Sequence, residues 1–250
     1  MVRARGCENV APGNAILARS SQTLQEHVEL MLRAYNSCYR TRGWHESTAA
    51  RLELDPSLVD RLARITIAFH DVGKIFFQSS IRKCRGSPWH EVLSGLLLSH
   101  SMPEFDLRSV NDVGASVHIA VAYHHVAMRV PRQLLTSRED VRRAITSESL
   151  DAIALHEVRS ALEHVVGERI ALDGSVVESV KKEFSKGLKA YIDGLEGFAT
   201  NAYTSVLSSR LLSVLIVTDN LSAASSSTST ALQLRPFLRD LPPYCKSAVL

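Results

Sequence analysis

The most informative stretch of the sequence is residues 55–77, which read DPSLVDRLARITIAFHDVGKIFF. Asp55 and Pro56 are typical of a helix N-terminus, because aspartate can cap the first turn and proline fits the first helical position. The apolar residues that follow recur at spacings of three and four, which predicts a helix with one buried face. That face comprises Leu58, Leu62, Ile65 and Phe69.

The same periodicity recurs along the chain, and strand-like alternation is nearly absent. We therefore predict an all-α fold, a single domain of about seven or eight helices. Residues 1–20 are expected to be an N-terminal arm, 21–224 the helical domain, and 225–250 a tail packed on it or extending from it. The segment GERIALDGS could hold a short hairpin. The other predicted helices begin at Ser21 or span about 89–100, 110–126, 137–145, 147–166, 174–196 and 199–224.

Composition places the chain among ordinary globular proteins. Its 250 residues are 45% hydrophobic and 22% charged, which is enough apolar side chain for a sizeable core and argues against disorder. Apolar runs such as Leu96–Leu98 and Val214–Val217 are far shorter than a membrane span of about 20 residues. No apolar segment follows the N-terminal arginines, so no signal peptide is expected. The four cysteines have neither zinc-ribbon nor redox spacing, so we expect no disulfide framework and a cytoplasmic location.

The strongest chemical signal is the adjacent pair His70 and Asp71 in AFHDVGK. Neutral imidazole and carboxylate oxygen are both good ligands for divalent transition metals. Lys74 places a cation beside any bound phosphate, although a lysine at a helix end can equally interact with terminal carbonyls.

Other histidines and aspartates strengthen this interpretation. His124 and His125 end an apolar run, where a polar ring needs a hydrogen-bond partner. Asp219 follows the apolar residues VLIV, so we expect it near the core, where an unpaired charge is costly. Any one of them could be a hydrogen-bonded core residue, but together they favour a metal site. These further candidates are His27, His90, His124, His125 and Asp219.

The ordered set H…HD…H…HH…D, over about residues 24–224, resembles the HD superfamily of metal-dependent phosphohydrolases. More narrowly, it resembles the stand-alone HD nuclease of CRISPR type I interference. The resemblance implies two divalent metal ions (manganese, cobalt, nickel or iron) in one cavity, bridged by Asp71. By position, the first metal takes His27, His70, Asp71 and Asp219. The second takes Asp71, His90, His124 and His125.

The resemblance also implies an activity, namely hydrolysis of phosphodiester bonds in single-stranded DNA during antiviral defence. Asp71 would hold the metals and the attacking water, and Lys74 would neutralise phosphate charge. The partners would be a CRISPR surveillance complex and a separate helicase, since this chain has no phosphate-binding loop of a motor domain. A basic track beside the ligands could bind the backbone, although each cluster could also be a solvated face. Its candidates are Arg82, Lys83, Arg85, Arg129 and Arg132.

Two alternatives remain open at the level of sequence. One is an HD phosphohydrolase of nucleotides or cyclic nucleotides. The cyclic-dinucleotide branch shares HDxGK and paired histidines, but this chain lacks the GYP motif of that branch. The other is a metal-binding HD scaffold that binds a partner without catalysis.

Overall fold

Helices form nearly all the regular structure in the computed structural model, which describes residues 15–125, 139–148, 150–186, 188–225 and 241–246. The prediction of an all-α domain is confirmed. Short 3-10 turns cover Arg40–Arg42, Val72–Phe77 and Pro103–Phe105. The helices are α1 (Leu24–Cys38), α2 (Trp44–Leu52), α3 (Pro56–Phe69), α4 (Gln78–Ile81), α5 (His90–Ser101), α6 (Asp112–Tyr123), α7 (Glu139–Ser147), α8 (Ala152–Val166), α9 (Gly174–Lys186), α10 (Lys189–Ala199), α11 (Ala202–Ser225) and α12 (Pro243–Lys246).

The starts of α1 and α3 follow from local capping. Asp55 accepts hydrogen bonds from the first turn of α3 and Pro56 is its first residue, as the sequence predicts. Helix α1 begins three residues later than the predicted Ser21. Thr23 caps it there, and the reciprocal bonds between Thr23 and Glu26 form a capping box.

The described residues contain more helices than the seven or eight predicted. Helix α2 occupies Trp44–Leu52, for which no helix is predicted from the sequence. The single helix predicted over 174–196 is two helices, since α9 ends at Lys186 and α10 begins at Lys189 with Leu188 as its N-cap. The hairpin considered for GERIALDGS is absent, since residues 167–173 contain no strand and α9 begins at Gly174.

A small hairpin stands where the N-terminal arm was predicted. Strands β1 (Leu17–Arg19) and β2 (Gln22–Thr23) pair antiparallel immediately before α1. Leu17 is fully buried, and its backbone exchanges two hydrogen bonds with the Gln78 side chain, of 2.7 and 3.0 Å. Residues 15–20 therefore belong to the domain, not to an arm. Residues 1–14 lie outside the described residues.

Helix α11 is central to the packing. It contacts α1, α2, α3, α6 and α10, and α5 packs against the Val72–Phe77 turn and α6. By length and composition α11 could cross a bilayer, but half of its apolar window is buried inside the fold, as in the core helix of a globular domain. These contacts bring α1, the end of α3, α5, α6 and α11 around one point in the core.

The end of the chain is attached to α1. Cys38 in α1 and Cys245 in α12 form a disulfide, and the short helix α12 packs on α1. The cysteine spacing did not predict this disulfide, whose two cysteines are 207 positions apart. Within the tail predicted over 225–250, residues 241–246 are the described part, apart from Ser225, which ends α11.

Candidate metal centre

The structure brings the histidines and aspartates singled out in the sequence into one cavity. They form two overlapping groups, and within each group the potential ligand atoms all lie within 4.8 Å of one another. Asp71 belongs to both groups. One group is His27, His70, Asp71 and Asp219, and the other is Asp71, His90, His124 and His125.

The end of α3 allows two adjacent residues to reach the same cavity. His70 is the C-cap of α3, and at Asp71 the backbone leaves the helix with φ −112° and ψ 1° before the 3-10 turn. Adjacent side chains on an uninterrupted helix diverge by about 100°. Because the helix ends here, the side chains of His70 and Asp71 can both point toward the same site.

Gly73 lets this turn lie directly against the start of α5. A Cβ atom at Gly73 would lie 2.0 Å from the His90 carbonyl oxygen, a distance that real Cβ atoms do not adopt. The Gly73 N–H donates to Ser94 Oγ at 2.8 Å, which holds the two segments together. The close approach positions His90, the first residue of α5, beside Asp71.

The two carboxylate oxygens of Asp71 face different histidines. Oδ2 lies 3.4 Å from Nε2 of both His27 and His70. Oδ1 lies 2.9 Å from His90 Nε2 and 3.9 Å from His124 Nε2. Asp71 thus has one oxygen in each group of ligands, and a carboxylate placed in this way can bridge two cations.

Backbone and side-chain acceptors orient the imidazoles. Carbonyl oxygens lie 2.8, 2.7 and 2.6 Å from Nδ1 of His70, His90 and His124, respectively. Nδ1 of His27 lies 2.8 Å from Ser222 Oγ. A carbonyl accepts only from a protonated Nδ1, so in the neutral ring the lone pair is on Nε2, directed into the cavity. This is the arrangement that supports metal-ligating histidines in proteins.

Three buried atoms in the second group have no hydrogen-bond partner: Asp71 Oδ1, His90 Nε2 and His124 Nε2. The first two are 2.9 Å apart but lack hydrogen-bond alignment, so two lone-pair atoms face each other. Each unsatisfied buried polar atom costs about 1–3 kcal/mol. A divalent cation between them would satisfy all three, so the residues present fit a metal ion.

The charges of the site also suit a metal. Burial opposes ionisation of Asp71, but the Lys74 ammonium and His70 outweigh it and hold the pKa of Asp71 well below its usual range. The pKa of Asp219 is likewise held low, because contacts with His27 and Arg19 outweigh burial. Both carboxylates are therefore anionic at neutral pH.

The paired histidines are neutral at the same pH. Burial and the neighbouring imidazoles lower the pKa of His124 far below its ordinary value. Burial and His90 lower the pKa of His125 to about 4. Ionised carboxylates and neutral imidazoles are the protonation states that bind metals.

The ligands open onto a cavity of about 390 Å³, and the structure places the predicted substrate-binding residues differently around it. Lys74 and Arg85 line the cavity, and the Lys74 ammonium contacts Asp71 Oδ2. Arg82 instead donates to the Ala15 carbonyl at 2.6 Å and lines a separate cavity. Lys83 is exposed and lines neither cavity. Arg129 and Arg132 lie outside the described residues.

Sequence reasoning missed several residues that line or support the site. Arg19 and Ser87 line the cavity, while Gln22 and Ser222 contact the His27 ring. Arg19 and Gln22 come from the hairpin, where no pattern in the sequence indicated a role. Ser222 lies three residues after Asp219 on α11, one helical turn along, so the helical period could have indicated it.

No protein-family model matches the chain, and no curated protein matches it either. Conclusions about its function therefore depend on the geometry and chemistry of the cavity.

Proposed function

We propose that this protein is a metal-dependent hydrolase of phosphodiester bonds that uses two divalent metal ions. The observation that carries the proposal is the placement of Asp71, whose two oxygens face separate sets of imidazole nitrogens. When bound, a pair of such ions supplies a hydroxide at neutral pH and stabilises the attacking and leaving oxygens of an in-line displacement. Manganese, cobalt, nickel and iron all suit this nitrogen and oxygen ligand set.

The chain's own residues would perform the remaining tasks. The first ion would be held by His27, His70 and Asp219, and the second by His90, His124 and His125, with Asp71 shared. Lys74, buried against Asp71, offsets negative charge where a phosphate would meet the ligands. Arg85 on the cavity wall would neutralise the phosphate next to the scissile one.

The proposed substrate is single-stranded DNA, and this part of the proposal comes from the resemblance of the ligand order to the CRISPR type I HD nuclease. In that role the protein would act in the cytoplasm in antiviral defence, with a separate helicase supplying the single strand to the surveillance complex and the nuclease.

A second candidate is phosphohydrolysis of a free nucleotide. The cavity volume of about 390 Å³ lies within the usual range of small-molecule sites. Among the described residues, few cations line it: Arg19, Lys74 and Arg85. Three cations are enough for a short anionic substrate, whereas a nucleic-acid strand would need a longer basic track.

The test compares substrates on one metal-loaded preparation. Purified protein is stripped with chelator, reloaded with Mn²⁺, Co²⁺ or Ni²⁺, and incubated with labelled single-stranded DNA, duplex DNA and nucleotides. The matched variants are Asp71→Asn and, as control, Asp193→Asn, a carboxylate on α10 that pairs with Lys189. Cleavage of single-stranded DNA that Asp71→Asn abolishes and Asp193→Asn retains is the expected result.

Other outcomes are equally decisive. Turnover of nucleotides with intact DNA would replace the nuclease by the nucleotide phosphohydrolase. Tight metal binding without hydrolysis of any substrate would leave a non-catalytic metal-binding scaffold.

A further inference from the structure

Arg19 forms an ion pair with one of the candidate metal ligands. Its Nη2 lies 2.9 Å from Asp219 Oδ1, and the same oxygen lies 3.4 Å from His27 Nε2. The oxygen that Asp219 directs toward the first group of ligands is thus the oxygen that Arg19 holds. A divalent cation at this oxygen would therefore share it with the guanidinium, and the two positive charges would repel each other.

The position of Arg19 is built into the fold. Strand β1 is tied to Gln78 through both backbone groups of Leu17. Gln22, paired with Arg19 across the hairpin, contacts the His27 ring at 3.2 Å and Ser222 Oγ at 3.3 Å. The hairpin is therefore anchored to the same residues that support the first metal group, and Arg19 lines the cavity wall.

Arg19 also has unused hydrogen-bonding capacity. Its Nε is buried and has no hydrogen-bond partner, whereas one third of the side chain remains accessible. A guanidinium has five donors in a planar fork that matches the oxygens of a phosphate. The exposed part of the guanidinium lines the cavity, where phosphate oxygens could accept from the donors that Asp219 does not use.

We propose that Arg19 binds a phosphate group of the substrate and that metal binding at Asp219 frees it to do so. This inference rests on the proposed metal centre. It adds Arg19 as a phosphate-binding residue and places metal binding before phosphate binding. If Asp219 Oδ1 held a divalent cation, its negative charge would be shared with that cation, and the guanidinium would have a second positive charge beside it. A phosphate that contacts both the metal and Arg19 restores the balance of charge. Metal binding and phosphate binding are therefore positively coupled through this side chain.

The test uses binding and not turnover. Isothermal titration measures Mn²⁺ binding to chelator-treated protein, and then inorganic phosphate binding to metal-free and Mn²⁺-loaded protein. The variants are Arg19→Gln, which removes the charge, and Arg19→Lys, which keeps the charge but not the fork. Arg33→Gln, an exposed arginine of α1, is the matched control. Circular dichroism verifies the fold of each.

In the wild type and Arg33→Gln, phosphate is expected to bind the Mn²⁺-loaded protein at least about tenfold more tightly than the metal-free protein. Arg19→Gln should bind Mn²⁺ about two- to tenfold more tightly, because the competing cation is gone, and should lose most of the coupling to phosphate. Arg19→Lys should fall between the two.

Two results overturn the inference, and they are distinguishable. If Arg19→Gln matches the wild type in Mn²⁺ affinity and in phosphate coupling, Arg19 has no such role while the metal centre stands. If the wild type binds no Mn²⁺, the proposed function fails together with this inference. If Arg19→Gln does not fold, Arg19→Lys provides the test. A folded Arg19→Lys protein that couples phosphate binding to Mn²⁺ binding as strongly as the wild type would show that the guanidinium of Arg19 is not required.

Discussion

Gly73 lies so close to α5 that adding one methyl group there should disrupt the second group of ligands and leave the first intact. In Gly73→Ala the new Cβ would start 2.0 Å from the His90 carbonyl oxygen and 2.8 Å from the Ser94 nitrogen. Contacts below 3.0 Å do not occur for real Cβ atoms, so the turn and α5 must move apart by about 1 Å. Metal sites tolerate errors of only about 0.2 Å in ligand distance.

The displacement should affect the two groups unequally. His90 begins α5 and moves with it, so its 2.9 Å approach to Asp71 Oδ1 is lost. His27 and Asp219 lie on α1 and α11, away from the turn. The variant should therefore bind one Mn²⁺, whereas the wild type is expected to bind two, and overpacking should reduce the free energy of unfolding by about 1–3 kcal/mol.

Metal content by mass spectrometry and electron paramagnetic resonance of the Mn²⁺ pair would measure this change. Gly197→Ala is the matched control, since no atom lies within 4 Å of a Cβ at that position on α10. The control should keep both ions and gain about 0.5–1 kcal/mol of stability, because alanine favours the helix. Two bound ions of unchanged affinity in Gly73→Ala, with unchanged thermal stability, would refute the argument.

Three further predictions concern pH, capping and metal. Burial lowers the pKa of His118 from 6.5 to about 4, so between these pH values the unfolded chain binds a proton that the folded chain does not. The free energy of unfolding should therefore fall by about 3 kcal/mol as the pH drops from 6.5 to 4. His118→Gln should weaken this pH dependence, measured by urea unfolding, and an unaltered dependence would contradict the assignment. Thr23→Ala removes the acceptor for the Glu26 N–H and should cost about 1 kcal/mol in denaturant unfolding, whereas a loss below a few tenths would mean that the hairpin alone holds the start of α1. Saturating Mn²⁺ at about 100 times its dissociation constant should add about 2.7 kcal/mol of stability, which a thermal-shift assay would detect and excess chelator should reverse.

Local sequence was sufficient for most of the helices and for the choice of candidate ligands. The apolar period of residues 55–69 and the Asp55–Pro56 start depend on interactions within a few residues, so they could be read directly. Helix α2 was missed because only two of its nine residues are buried, which leaves too weak an apolar stripe for a sequence pattern. Adjacency alone drew attention to His70 and Asp71.

Packing between distant segments decided how the site is assembled. The assignment of Asp71 Oδ1 and Oδ2 to different histidines depends on where α1, α5 and α6 meet, which no local pattern encodes. The same holds for the pairs Arg19–Asp219 and Cys38–Cys245, whose partners are about 200 positions apart. Short-range forces select helices and their ends, whereas such contacts form only when burial of the whole core brings remote surfaces together. That is why the sequence could indicate which residues could bind a metal but not the arginine that pairs with one of them.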